Sequence, residues 1–385
     1  MSASRSAGKS APSVAPYDAL LLVSFGGPEG HEDVLPFLEN VTRGRGVPPD
    51  RLAEVATHYQ AFGGRSPIND QCRALAAAVR DDLAAAGLPL PVYWGNRNWG
   101  PYLQDTVATM AADGVQRAAC FLTSAYSSYS GCRQYREDLF AAVAGLPGVP
   151  QLDRLRHYFN HPGFVAPFTD ATARALATLL PEHQDEAHLL FVTHSIPAAM
   201  NEASGGLTGG GGAYVRQHHD VAATVAAAVA SATGRARGHD LVFCSRSGPP
   251  RVPWLEPDVN DRLRQLHASG TPAAVLVPVG FVSDHMEVIF DLDTEAATTA
   301  QELGMGFARA ATPGVDARFV AMVRDLLLER SAVERGETAI DRAVTGTLPA
   351  SWDRCPPDCC RNPRDPCRSA LCGVDAPAVG ASPMP

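Results

Sequence analysis

The sequence lacks the marks of several large protein classes. Its longest apolar runs, such as AAVLVPVGFV at residues 273–282, are about half of the roughly 20 residues that a helix needs to cross a bilayer. Basic residues are outnumbered, with 32 Lys and Arg against 41 Asp and Glu, which gives a formal net charge of −9. That charge argues against nucleic acid or an anionic membrane as the main partner, although local basic patches can still hold an acidic small molecule.

The N-terminal stretch also lacks the apolar segment of a signal peptide. Residues 1–16 are predicted to form a disordered tail, and the cytoplasm is the expected compartment. Nine cysteines in a cytoplasmic chain are not expected to form a disulfide framework. Their positions are uneven, because five crowd into the last 31 residues: Cys355, Cys359, Cys360, Cys367 and Cys372.

What the sequence does contain is a regular alternation of short apolar runs and Ala-rich segments of helical period. The runs are almost continuously apolar, as expected for parallel strands buried on both faces. The intervening segments end at Gly or Pro, as helices do, and the alternation implies an α/β architecture with right-handed crossovers. The predicted strands are Asp18–Phe25, Pro91–Asn96, Arg117–Ser124, His188–His194, Asp240–Ser245 and Ala273–Gly280.

The chain has room for two domains. It has 385 residues, of which 45% are apolar and 19% charged, enough for sizeable cores. The Gly/Pro-rich stretch Ala144–Leu152 separates the third predicted strand from the fourth. We predict two similar Rossmann-like, doubly wound parallel-sheet domains, residues 17–150 and 151–336, with a cleft between them that suits a flat ligand. Residues 345–385 are predicted to form a Cys-rich tail. Because this tail cannot bury much core, it needs another interaction to hold it in place.

Two histidines and an acid follow predicted strands of the second half. His194 ends the run HLLFVTH, while His285 and Glu287 follow the run AAVLVPVG. Since the carboxyl ends of parallel strands meet at one edge of a sheet, these side chains are expected to lie together. A lone histidine in such a place more often caps its strand and bonds to backbone, but two histidines with an acid favour a functional site.

Carboxylates then recur at Glu287, Asp291 and Glu295, a spacing that places them on one face of a helix. The simplest interpretation is a solvated acidic face. However, the apolar residues between them indicate a largely buried helix, and like charges at this spacing need a compensating cation. Imidazole and carboxylate suit a divalent first-row metal. The acids are therefore interpreted as a relay for metal or protons, with a π-bulge aiming them inward.

Several loops could contribute to a ligand site. Ser24–Pro28 (SFGGP) permits close backbone approach but contains no nucleotide-binding motif. Arg43 and Arg45 are suited to carboxylates. Ser66 stands at a predicted helix start, where it is either an anion contact or a plain N-cap. The Gly-rich stretch Ser204–Tyr214 is either an inert loop or a lid.

The stretch SAYSSYSGCRQY contains three tyrosines, Tyr126, Tyr129 and Tyr135, which suit the face of a planar aromatic ligand. With six other segments, it resembles the ferrochelatase family, and more narrowly the actinobacterial coproporphyrin III type. The other segments, between roughly Asp18 and Arg330, are SFGGPEG, FLENVTRGRGVP, HYQAFGGRSPIN, THSIP, PWLEPDV and VPVGFVSDHMEV. The resemblance implies two Rossmann-like halves around a porphyrin cleft. It also implies a lyase that inserts its substrate Fe(II) into coproporphyrin III, giving coproheme in heme biosynthesis.

The resemblance also implies roles for single residues. His194 and Glu287 match the family's iron-site pair, with His194 as the general base, since imidazole titrates near neutral pH. His285, Asp291 and Glu295 match its acidic path. Related Gram-positive enzymes have Tyr at position 25, whose metal contact is lost here, and Arg at position 58. The implied porphyrin-lining residues are Phe25, Arg43, His58, Tyr59, Ser66 and Tyr135.

The tail sequence CPPDCCRNPRDPCRSALCG favours a metal or iron–sulfur site, with zinc or free thiols as alternatives. The resemblance implies a 2Fe–2S cluster with one internal and three tail ligands. Such a cluster could staple the tail to the core, and metal insertion, being redox-neutral, gives it no electron-transfer role. The candidate ligands are Cys132, Cys355, Cys359, Cys360 and Cys372.

Three other functions remain compatible with parts of the sequence. The same fold could act on protoporphyrin IX. A non-catalytic tetrapyrrole carrier would need the cleft but not the acids. A small cobalt or nickel chelatase would usually lack SAYSSYSGCRQY and the cysteine tail. The expected partners are the porphyrin and ferrous iron, with the protein a monomer in transient contact with other heme-pathway enzymes, and without nucleic acid or a membrane span.

Overall fold

Two parallel four-stranded sheets form the framework of the chain. The structure is a computed structural model and describes residues 12–44, 46–206, 210–247, 251–356 and 358–371. The first sheet has the order β2-β1-β3-β4 and the second β6-β5-β7-β8, so both halves repeat one topology. The strands are β1 Ala19–Ser24, β2 Val92–Asn96, β3 Arg117–Leu122, β4 Gln151–Arg154, β5 His188–His194, β6 His239–Cys244, β7 Ala273–Val277 and β8 Gly306–Arg309.

Helices connect the strands and cover the sheets. In the first half they are α1 Val34–Thr42, α2 Pro49–Ala61, α3 Ile68–Ala85, α4 Leu103–Ala112 and α5 Gln134–Val143. In the second half they are α6 Pro162–Ala177, α7 Pro181–Gln184, α8 Ala198–Glu202, α9 Ala213–Thr233, α10 Val259–Ala268, α11 Ala297–Glu302 and α12 Ala317–Glu334. Two π-helical segments, Tyr129–Arg133 and Val288–Ala296, precede α5 and α11. None of the helices within the described ranges is long and apolar enough to span a membrane.

The predicted α/β class and the two-sheet architecture are confirmed, but the prediction of six strands is wrong, because β4 and β8 were missed. Each is a four-residue strand at the edge of its sheet. Their sequences, QLDR and GFAR, contain too few apolar residues to stand out from loops. β4 pairs with β3, so the first sheet extends to Arg154, beyond the predicted boundary at residue 150.

One hydrophobic core runs through both halves. Phe121 of β3 stacks on Tyr158 at 4.9 Å between ring centroids, and both rings contact Phe319 of α12. Each of these side chains is almost fully buried and stabilises the fold by about 1.5–3 kcal/mol relative to an exposed ring. A hydrogen bond of 2.9 Å from the Tyr126 hydroxyl to the Val279 carbonyl also joins the halves. The two sheets are therefore held at a fixed separation.

Both ends of the described chain pack against this framework. The carbonyl oxygens of Ser13 and Ala15 accept hydrogen bonds from Arg335, so these residues of the predicted N-terminal tail are anchored; residues 1–11 lie outside the described ranges. After α12, the Cys-rich tail is held by polar contacts. Asn160 donates to the Leu348 carbonyl at 2.7 Å, and buried Arg133 donates to the Arg368 carbonyl at 2.6 Å.

Candidate active site

His194 is the last residue of β5, and its neighbours fix its orientation. The Tyr214 hydroxyl, from α9, donates to the His194 carbonyl at 2.8 Å. The imidazole Nδ1 bonds to the carbonyl of Ser195, and since a carbonyl can only accept, Nδ1 carries a proton. Gly280 makes room for this strand end, because a Cβ there would collide with Thr193. The remaining nitrogen, Nε2, lies 3.6 Å from Glu287 Oε1.

Glu287 reaches His194 from the segment after β7. Its backbone N–H donates to Nδ1 of His285 at 3.2 Å, so this ring nitrogen is unprotonated. Burial lowers the pKa of His285 despite the charge of Glu287, which agrees with a neutral ring. The three residues thus meet, as their strand-end positions predict.

The His194–Glu287 pair is an ion pair rather than two neutral groups. Burial alone would lower the pKa of His194, but the charge of Glu287 outweighs burial and raises it to about 9. Burial would conversely raise the pKa of Glu287, but the charge of His194 holds it at about 2. The side chains keep 33% and 43% of their surface exposed, so the pair is accessible to a ligand. In the absence of substrate, His194 therefore holds a proton at neutral pH.

The acids beyond Glu287 lie on the π-helix Val288–Ala296, which agrees with the interpretation of a π-bulge. Burial raises the pKa of Asp291 to about 7, assisted by the charges of Glu287 and Glu295 and opposed by a hydrogen bond from Ser245. Glu295 is exposed at the far end of the row. The row therefore runs from the cleft to solvent through one carboxyl group that titrates near neutral pH.

An aromatic wall from the first half stands opposite this pair. Phe37 of α1 contacts Phe25, Tyr59 and Trp99, with ring centroids 5.9–6.3 Å apart. Burial, then the charges of Glu287 and Asp291, raise the pKa of Tyr59, which places Tyr59 close to these acids. A wall of rings opposite an imidazole–carboxylate pair is suited to a flat aromatic ligand that takes a metal ion.

Comparison with known proteins agrees with this geometry. The ferrochelatase family model matches residues 17–331. The chain belongs to the ferrochelatase family. It is 57% identical to the "Coproporphyrin III ferrochelatase" of Streptomyces coelicolor, over 94% of this chain and 97% of that one. It is 56% identical to the protein of the same name from Frankia alni, over 94% and 92% of the two chains. Among solved structures, SirB from Bacillus subtilis with Fe3+ matches at 12% identity with a TM-score of 0.48, covering 84% and 99%.

Within this family fold, the other predicted substrate residues fall into two groups. Phe25, Tyr59 and His58 lie at the aromatic wall, and His58 stacks on Phe290 of the π-helix. Arg43 is exposed directly after α1, while Arg45 lies outside the described residues. Ser66 is buried, its N–H bonded to Pro28, and α3 has no side-chain N-cap. Ser66 is therefore not a plain N-cap.

The tyrosines of SAYSSYSGCRQY do not form one ligand face. Tyr126 is 3% exposed and stacks on His218 at 3.5 Å inside the core, so its predicted ligand-facing position is wrong. Tyr135 is 5% exposed and lies 4.3 Å beneath the guanidinium of Arg97; its role in substrate binding stays a prediction. The motif identifies the family, but its rings mainly pack the core.

Two residues of the site were not predicted from the sequence. Ser245 follows β6, whose last residue Cys244 pairs in register with His194, so Ser245 reaches Asp291 from the neighbouring strand end. Its φ of 61° is unusual for a residue other than glycine and accompanies the hydrogen bond to Asp291. Tyr214 supports His194 from α9. The strand-end rule applied to β6 could have found Ser245, whereas no sequence signal indicates Tyr214.

Four of the predicted cluster cysteines converge in a separate buried group: Cys132, Cys355, Cys359 and Cys360. Cys359 Sγ and Cys360 Sγ are 3.7 Å apart, Arg154 Nη2 donates to Cys355 Sγ at 3.4 Å, and the Gly205 N–H donates to Cys360 Sγ at 3.4 Å. Cys367 is exposed, and Cys372 lies outside the described residues.

The environment of this group lowers the pKa of two of its thiols, and at Cys360 the main cause is a hydrogen bond from Cys359. Hydrogen bonds from Cys132 and Cys359 lower the pKa of Cys355. Across the residues that the structure covers, no group of three or more His, Cys, Asp or Glu side chains is arranged to hold a metal ion.

Proposed function

We propose that this protein inserts Fe(II) into coproporphyrin III to give Fe-coproporphyrin III, a lyase reaction of heme biosynthesis, in the cytoplasm. The observation that carries the proposal is the His194–Glu287 pair, 3.6 Å apart at strand ends of the second half and facing aromatic rings of the first. The names and near-complete coverage of the actinobacterial relatives support the choice of porphyrin.

The charges of the site suggest an order of events. Insertion must remove two pyrrole protons, yet His194 already holds a proton at neutral pH, because its pKa is about 9. An Fe(II) ion that binds Glu287 cancels the charge that raises this pKa, and burial then favours the neutral imidazole. Asp291, with a pKa of about 7, interacts electrostatically with His194 and can take the released proton. Neutral His194 can then accept a pyrrole proton.

In this order, iron binding switches His194 from an acid to a base. The sequence suggests a histidine that is ready as a base, whereas in this proposal its readiness depends on the metal. Proton removal thereby follows metal arrival, which prevents unproductive deprotonation of the macrocycle.

We further propose that the buried cysteine group holds a 2Fe–2S cluster. Two observations support this proposal: four buried cysteines lie together, and N–H donors from Arg154 and Gly205 are aimed at two of the sulfur atoms, as cysteine-ligated clusters require. In the described residues the thiols are not arranged around a metal position, so a cluster would require them to rearrange. Cys132 would supply the internal ligand, and Cys355, Cys359, Cys360 and Cys372 are the tail candidates. When bound, the cluster would cross-link the tail to the core.

The decisive experiment is a metallation assay with coproporphyrin III and protoporphyrin IX side by side, followed by the loss of free-porphyrin fluorescence under anaerobic Fe(II). We expect a clearly higher kcat/KM for coproporphyrin III. Preference for protoporphyrin IX would support the alternative substrate, and binding of either without metallation would indicate a carrier. We also propose that the protein acts as a monomer in transient contact with other enzymes of the pathway, which sedimentation analysis of the pure protein can check.

A further inference from the structure

A groove far from the cleft has the chemistry of an anion site. It has a volume of about 550 Å³ and lies between the end of α12 and the tail residues 350–354. Its lining includes three arginines, Arg330, Arg342 and Arg354, and the indole of Trp352. The indole is one of the few large apolar side chains left exposed, at 44%.

Arg330 provides the sharpest observation. It is 1% exposed. Its Nε donates to the Tyr17 hydroxyl, and its Nη2 contacts Asp153 and Glu334 at 3.2 and 2.8 Å. Its third nitrogen, Nη1, is buried without a hydrogen-bond partner. A buried, unsatisfied charged donor is costly, and Arg330 is among the residues that line the groove, so a ligand oxygen that reaches Nη1 would complete the guanidinium.

The charge balance around the groove also favours an anion. Four guanidinium groups, those of Arg117, Arg330, Arg342 and Arg354, form ion pairs with three carboxylates, those of Asp153, Glu334 and Asp353. The acids of the lining are thus already neutralised. The network keeps one surplus positive charge, which a single oxyanion would balance; Arg330 is buried in the network, whereas the Arg354 side chain is 65% exposed.

We propose that this groove binds a small oxyanion, a carboxylate or a phosphate, between Arg330 and Arg354. Arginine presents planar forked donors that suit both groups. The bound anion would also join α12 to the tail. The tail continues directly to Cys355, and Arg154 donates both to the Trp352 carbonyl and to Cys355 Sγ. The site is therefore linked to the cysteine group through two hydrogen bonds, and it is separate from the porphyrin cleft.

The test uses the full-length protein and Trp352 as its reporter. Phosphate, succinate and chloride are titrated at matched ionic strength, and binding is followed by indole fluorescence and by calorimetry. We expect phosphate or succinate to bind saturably with a dissociation constant in the millimolar range or tighter, and chloride to give no saturable signal. Whichever oxyanion binds more tightly identifies the natural class. Equal responses to all three salts, or no saturable binding, would overturn the proposal.

Three variants locate the site. Arg354→Gln, at a side chain that is 65% exposed, should weaken oxyanion binding about tenfold, equivalent to about 1.4 kcal/mol. Arg354→Lys, which keeps the charge but not the forked donors, should bind the oxyanion with an affinity between those of the wild type and Arg354→Gln. Trp352→Phe should remove the fluorescence signal and keep the calorimetric one. The matched control is Arg264→Gln, another exposed arginine in an ion pair. Unchanged binding in Arg354→Gln, or equal weakening in Arg264→Gln, would contradict the assignment.

Discussion

His58 of the first half stacks on Phe290 of the second, with ring centroids 3.8 Å apart and planes 11° from parallel. The contact joins α2 to the π-helix that carries Asp291, so it bridges the two sides of the cleft. The two rings therefore couple the first half of the protein to the second.

This coupling can be measured with a double-mutant cycle. We expect His58→Ala and Phe290→Ala to be non-additive in the free energy of unfolding, with an interaction of about 0.5–1.5 kcal/mol, as for other stacked rings. Chemical denaturation of the wild type, both single variants and the double variant gives this value. Additive effects would mean that the stack contributes nothing to holding the halves together.

His194→Ala should abolish iron insertion and leave porphyrin binding largely intact. In the proposed mechanism the imidazole takes part in proton removal, while the aromatic wall would hold the macrocycle; loss of a general base lowers rates by about 10²–10⁴. Turnover is measured with Fe(II), and binding by titration of the porphyrin absorbance band. The control is His188→Ala at the opposite end of β5, a histidine paired with Asp240 away from the cleft. Full turnover in His194→Ala would refute its role.

Glu287→Gln should change how stability depends on pH. The pKa of His194 is about 9 in the folded protein, above the ordinary value of about 6.5. The stabilisation from the pair is therefore fully present below about pH 6.5 and is lost as the pH rises through about 9. Because both side chains are partly exposed, we expect a difference of about 1 kcal/mol or less. Unfolding of both proteins between pH 6 and 10 measures it, and a constant difference would disprove the ion pair.

Ser245→Ala should move the acid limb of the pH–activity profile to higher pH. Ser245 donates to Asp291 and lowers its pKa against the effect of burial, which sets the value near 7. Without the hydroxyl, Asp291 stays protonated over a wider range and accepts protons less readily. Profiles of kcat/KM for both proteins check this. Ser247→Ala, at a nearby exposed serine, is the control, and identical limbs in Ser245→Ala and the wild type would exclude the contact.

Cys355→Ser and Cys132→Ser should remove the visible absorption of the anaerobically purified protein, together with its iron and acid-labile sulfide. Both thiols belong to the buried group, and each would be a cluster ligand. Cys367→Ser is a matched control, because Cys367 is in the same tail but exposed. A colourless wild-type protein with stoichiometric zinc would instead show that the group is a zinc site.

The sequence was most informative where one rule governs position. Parallel strands end at a common edge, so His194, His285 and Glu287 could be placed together before any coordinates. The search for apolar runs missed β4 and β8, because short edge strands need few apolar residues and so leave no clear signal in the sequence. Tyr214 also could not be predicted from the sequence, because its contact with His194 depends on how α9 docks against the sheet.

The cysteine group shows a second limit. Spacing alone marks the tail as unusual, but which thiols meet depends on where the tail crosses α5. That path is fixed by buried polar contacts, such as Asn362 with Glu137 at 3.1 Å, whose partners are 225 residues apart in the chain. Buried Arg133 and Glu137 within a helix look like surface charges in a sequence, so their anchoring role becomes visible only in the folded protein.

The cysteine-rich segment of the tail contacts both halves of the protein. Cys132 is part of the N-terminal lobe, whereas Gly205, which donates to Cys360, is part of the C-terminal lobe. The proposed cluster would therefore connect the two halves of the protein. Oxidants that attack those sulfur atoms would then weaken the connection between the two halves without reaching the porphyrin.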